Sequence, residues 1–142
     1  MRAEMMKTLI GPLLLALAGA ACGGSASTPT TPTATAPSVT EEFTGTLNLN
    51  GGASFPFVTG SAGLITATLT TLGDNDTTSS VGLSMGTWNG TACAVSSIHN
   101  DNAGQGSAVI GQATGSGSLC ARVYDVGKIA ASITFKVTVV HP

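Results

Sequence analysis

From Glu42 to the end of the chain, apolar and polar residues alternate with a period of two. In Ile65-Thr66-Ala67-Thr68-Leu69-Thr70 every second side chain is apolar and every other one is threonine. A strand sends successive side chains to opposite faces, so this spacing predicts a half-buried strand. The same period sets Phe43, Gly45 and Leu47 on one face, then Phe55 and Phe57, with Pro56 pointing to a sheet edge. Val81, Leu83 and Met85 are expected inward, with Gly82, Ser84 and Gly86 opposite them on the wet side. Cys93 to Val95 begins a short strand, Ala108 and Ile110 lie in another, and Leu119, Ala121 and Val123 follow. Ile133, Phe135, Val137 and Val139 form the last. Asn50-Gly51-Gly52, Gly60 to Gly63, Trp88-Asn89-Gly90 and Gly115 to Gly117 read as turns, and Gly73 to Ser80 and His99 to Gly106 as polar loops. About eight strands at such spacing, with no helical pattern, predict an all-β sandwich or barrel, best read as two antiparallel sheets face to face.

At 142 residues the chain has room for one ordinary domain. Charged residues are only 8%, but 42% are hydrophobic, which argues against a disordered chain. Beyond the leader described next, Arg122, Lys128 and Lys136 stand against Glu41, Glu42, Asp74, Asp76, Asp101 and Asp125. Three cations against six carboxylates leave −3. Binding to nucleic acid needs a basic footprint that displaces counterions from phosphate, and none is present.

Residues 1–21 have the three-part form of a secretory signal peptide: Arg2 and Lys7, the apolar run Leu9 to Leu17, and the small residues Gly19-Ala20-Ala21. Glu4 fits poorly in a basic opening, which points to a start at Met5 or Met6. The apolar run is shorter than the ~20 residues of a spanning helix, and Gly11-Pro12 interrupts it. The stretch Leu17 to Cys22 resembles the lipobox of bacterial lipoproteins, with Gly19 where leucine is commonest. That resemblance implies diacylglyceryl transfer to the Cys22 thiol, cleavage before it and acylation of the new N-terminus. Several acyl chains hold a protein on a membrane far more firmly than one. Gly23, rather than aspartate, after the cysteine implies the outer membrane of the bacterial cell envelope. Residues 22–40 then form a Thr/Pro-rich linker with Pro29, Pro32 and Pro37, reaching about 55 Å if extended. Residues 41–142 form the folded domain.

With Cys22 lipidated, Cys93 and Cys120 remain, an even pair in an oxidising compartment and a candidate disulfide contributing about 3 kcal/mol; two buried free thiols are the other reading. His99 with Asp101 and a serine has the residue types of a hydrolase, but no nucleophile-elbow motif accompanies them. Calcium is the better candidate ligand for the polar loops, because hard cations take carboxylate and amide oxygens and Asp74, Asp76, Asn100, Asp101 and Asn102 supply them. The same residues also serve as plain turn formers. Two histidines and two paired cysteines make a poor zinc set. Trp88 and Tyr124, the sole Trp and Tyr, are few for a carbohydrate platform.

Phe43-Thr44-Gly45-Thr46-Leu47, Phe55-Pro56-Phe57-Val58, Gly63 to Leu69, Asn100-Asp101-Asn102, Leu119 to Tyr124 and Ile133 to Val139 together resemble the bacterial pre-peptidase C-terminal domain over nearly all of residues 41–140. The resemblance implies a jelly-roll-like sandwich, in a family appended to secreted peptidases whose relatives bind collagen or calcium. Cys93 and Cys120 are not general features of that family. The expectation is therefore a lipid-anchored, non-catalytic envelope module with a binding or structural role, held to the membrane by its lipid and requiring no cofactor. A calcium-dependent domain for a glycan or matrix-protein ligand is the alternative, and a hydrolase comes third.

Overall fold

The computed structural model describes residues 37–73 and 79–142. Eight strands follow in order: β1 (Val39–Leu47), β2 (Gly52–Thr59), β3 (Gly63–Leu72), β4 (Val81–Trp88), β5 (Cys93–Ala103), β6 (Ala108–Ala113), β7 (Gly117–Tyr124) and β8 (Ile133–His141). No helix occurs among the described residues. The strands form two four-stranded antiparallel sheets, β1-β8-β3-β6 and β2-β7-β4-β5. The pairing is nested: β4 pairs with β5, β3 with β6, β2 with β7 and β1 with β8. This is one long hairpin rolled into two layers, a jelly-roll sandwich.

The alternation read from the sequence lands where the physics requires. Leu47, Phe57, Ile65, Leu69, Val123 and Val137 are among the apolar side chains buried between the sheets. Burying each such side chain is worth roughly 1.5–3 kcal/mol. Gly45 sits in this apolar register because a Cβ there would lie 2.8 Å from Cζ of Phe135, its partner on β8. At the β1–β2 edge, Phe43 stacks on Phe55 with centroids 5.1 Å apart, and Phe55 meets Phe135 edge-on at 5.8 Å. Pro56 lies on edge strand β2, as expected.

Several local expectations change. The wet side expected for β4 is buried: Gly82, Ser84 and Gly86 are as covered as Val81, Leu83 and Met85. The stretch from His99 is not a loop, since β5 continues to Ala103 with Ser84 opposite His99, Leu83 opposite Asn100 and Val81 opposite Ala103. An edge strand needs only backbone bonds on one side and tolerates polar side chains, so its composition resembles a loop. The chain turns at Gly104–Ser107 instead. Val109 and Ala113 are the buried residues of β6, leaving Ile110 60% exposed. Trp88 ends β4 opposite Cys93 rather than opening a turn, which is left to Asn89. There Asn89 Oδ1 accepts from the N–H groups of Thr91 and Ala92. His141 prolongs the buried face of β8, with Nε2 2.9 Å from Glu41 Oε1.

Asp125 ties the β7–β8 connection to the β1–β2 turn. Its carboxylate accepts from the N–H groups of Asn50 (2.8 Å), Gly127 (2.7 Å) and Lys128 (3.2 Å), and its own N–H donates to Gly51 O. These donors, Asn50 foremost, hold its carboxyl below the ordinary carboxylate range.

Candidate functional site

The two outer faces differ in chemistry. Outward on the first sheet lie threonines such as Thr44, Thr66, Thr68 and Thr138, with a Lys136–Glu42 ion pair at 3.4 Å. Outward on the second sheet, the register gathers different side chains from three strands. Because Leu119, Ala121 and Val123 face the core, Cys120, Arg122 and Tyr124 of β7 point outward. Across β4, Arg122 is opposite Ser84, which is opposite His99 on β5; Tyr124 is opposite Gly82. Trp88 shares this side of β4 at its far end.

Small residues on β4 permit the arrangement. A Cβ on Gly82 would lie 2.3 Å from Cε2 and Cζ of Tyr124, so the ring lies flat across the strand. From there the Tyr124 hydroxyl donates to Asp101 Oδ1 on β5. Burial first, then the hydrogen bond to Asp101 and its negative charge, push the phenol up to about 12, against a downward pull from Arg122. The group is therefore a neutral donor at physiological pH. The Arg122 guanidinium carbon lies 5.5 Å from the Tyr124 ring centroid, within cation–π range. Lys128 Nζ donates to Asn102 Oδ1 at 2.6 Å, adding a second cation beside the patch.

Farther along β4 the backbone of β5 crosses the face. A Cβ on Gly86 would lie 2.0 Å from the carbonyl oxygen of Ala94. That crossing brings Cys93 to Cys120, although β4 separates their strands: the Cα atoms are 5.8 Å apart and the sulfurs 2.04 Å, a disulfide between residues 27 apart in sequence. Between the Tyr124 cover and the Ala94 crossing sits Ser84, fully buried, whose Oγ has no hydrogen-bond partner. A buried unpaired hydroxyl costs free energy relative to a paired one.

The other sequence candidates separate. Asn100, Asp101 and Asn102 lie on β5 where it gains a residue on β4: Asn100 is opposite Leu83 and Ala103 opposite Val81. Asn100 Oδ1 accepts from Asn102 N–H, Asp101 from Tyr124 and Asn102 from Lys128. Their oxygens thus serve different partners and do not converge. Among the described residues, no group of three or more His, Cys, Asp or Glu side chains is placed to hold a metal. Asp74, Asp76 and Cys22 lie outside the described residues. His99 and Ser84 face each other in register, but Ser84 Oγ makes no hydrogen bond to it, and Asp101 is engaged by Tyr124.

Sequence reasoning missed the union of Arg122, Tyr124, His99 and Trp88. Two glycines inside one strand were the available signal, since glycine there marks close approach of another group. No protein-family model matches the chain, and no curated protein matches it.

Proposed function

We propose that this protein is a non-catalytic binding module of the bacterial cell envelope, attached through a lipid on Cys22, which binds a polyhydroxylated ligand, a glycan, on the outer face of its second sheet. One observation carries the ligand reading: the register of β4, β5 and β7 gathers Arg122, Tyr124, His99, Asp101 and Trp88 on one face. Arginine and aspartate engage neighbouring hydroxyls with directed hydrogen bonds, and tyrosine and tryptophan offer an apolar ring with a polar handle. Gly82 and Trp88 are six residues apart on β4, about 20 Å at the rise of a strand. The β5 backbone and the Cys93–Cys120 bridge cross between them, so Arg122 with Tyr124 and, beyond the crossing, Trp88 form two contact points for separate units of an oligosaccharide. The lipid reading rests on the lipobox resemblance alone.

A glycan array probed with the purified protein, in calcium and in chelator, tests the ligand class. Arg122→Ala and Trp88→Ala are expected to weaken the strongest hit at least tenfold, about 1.4 kcal/mol. Silence in both conditions overturns the glycan reading, and binding lost on chelation assigns the calcium-dependent alternative. Cys22→Ser is expected to abolish labelling by a radioactive fatty acid and release the protein from membranes; unchanged fractionation overturns the anchor.

A further inference from the structure

The two edges of the sandwich are closed differently. Stacked Phe43 and Phe55 fill the edge between β1 and β2. At the opposite edge, between β5 and β6, a cavity of about 400 Å³ opens between the sheets. Its cause lies in the ladder. From the Ser84–His99 pair to the Gly86–Val95 pair, β4 advances two residues while β5 advances four. The extra length of β5 bulges away over Ser96 to Ile98, and side-chain bonds hold it there. Ser96 Oγ donates to Met85 O at 2.9 Å and accepts from Ile98 N–H at 3.2 Å. Facing the bulge, β6 presents Gly111, and the ends of Ile98 and Met85 at the cavity wall come within 3.0 Å of where a Cβ would stand.

We propose that this cavity binds an uncharged, unbranched alkyl chain. Its walls are core side chains of both sheets, Phe57, Met85 and Leu119 on one side and Ile65 on the other. Native cores leave few voids larger than a water molecule, and small-molecule sites occupy ~300–1,000 Å³ with mostly apolar walls. The shape follows from the layers: sheets about 10 Å apart leave a thin slot between their side chains, which suits an elongated molecule. No charged residue lines the cavity. Thr87, Ser96 and Gln112 supply its polar lining, so the polar end of the ligand is an alcohol, ester or amide. A carboxylate buried there would lack a counter-charge. Met85 adapts to different chains, being unbranched and flexible. The cavity lies between the sheets and borders the glycan face at the Gly86–Ala94 contact, but its binding does not depend on that face.

Fluorescence titration of the full chain with Nile red, followed by competition with decanol, decanoate and decylammonium, tests this. Saturable one-to-one binding is expected, with decanol displacing the dye at least tenfold better than either ion. Gly111→Leu is expected to weaken the dye at least tenfold. Val95→Trp, at the exposed rim, closes the same mouth should Gly111→Leu not fold. Val58→Ser, on edge strand β2 away from the cavity lining, is expected to leave binding unchanged. Absence of saturable binding, equal competition by decanoate, or full affinity in a folded closing variant overturns the proposal.

Discussion

Gly82→Ala puts a methyl group where the Tyr124 ring now rests. The built Cβ lies 2.3 Å from two ring carbons, against an optimum of ~3.5–4.0 Å between carbon atoms. The ring must lift by more than an ångström, and its hydroxyl then leaves Asp101. Overpacking of this kind costs about 1–3 kcal/mol and the lost hydrogen bond about 0.5–1.5 kcal/mol, so the variant is expected to lose about 2–4 kcal/mol. For a domain of ~100 residues that lowers Tm by roughly 10–25 °C. Trp88, the sole tryptophan, reports urea unfolding, and Tyr124, the sole tyrosine, lets tyrosinate absorbance follow this phenol alone. In the wild type the phenol ionises at about 12; in Gly82→Ala it falls toward 10.0. The raised folded-state value also has a stability consequence. The contribution is whole below pH 10.0 and disappears as pH climbs toward 12. A rise from 10 to 12 corresponds to roughly 2.7 kcal/mol, which water around the partly exposed hydroxyl screens to about 1 kcal/mol. Stability within 0.5 kcal/mol of wild type, about the spread of neutral surface substitutions, together with an unchanged phenol titration, would refute the packing of Tyr124 across β4.

Gly86→Ala is expected to be harsher, costing upward of about 3 kcal/mol. Its Cβ meets backbone, the Ala94 carbonyl, which no rotamer change relieves; wild-type stability in urea would contradict the crossing of β5. Replacing Cys93 and Cys120 together by alanine is expected to cost about 3 kcal/mol, from the 27-residue separation the bridge closes. Urea midpoints that coincide with the oxidised wild type would count against the bridge. Asp125→Asn is expected to flatten the acid limb of the stability curve. The carboxyl is depressed in the folded state, so its contribution is whole above pH 3.8 and lost as pH falls below that value; identical acid titrations of variant and wild type would remove Asp125 from that role.

Much of the architecture is legible in the sequence. Alternation over Ile65–Leu69 in β3 and Phe135–Val139 in β8 selects strands and names their buried faces, because side chains of period two can satisfy only a half-buried sheet. Glycine and asparagine at Asn50-Gly51 mark a turn, where Asn50 adopts a φ of 55°. Two cysteines left after Cys22 were enough to suggest a pair. What stayed hidden depends on neighbours distant in sequence. Whether His99 to Ala103 is loop or strand is decided by β4, since a polar edge strand and a loop have the same composition. The outer side of β4 looked wet because glycine and serine are indifferent to water; only Tyr124 and the Ala94 backbone, lying across it, bury it. The local pattern thus settled the inward faces of β3, β7 and β8, where the apolar preference of each side chain coincides with the period, but not that of β6, whose buried residues are Val109 and Ala113. Which strands adjoin, and therefore that Arg122, Tyr124, His99 and Trp88 share a face, was decided by the rolled pairing of the two sheets, a property of the whole chain and of no segment within it.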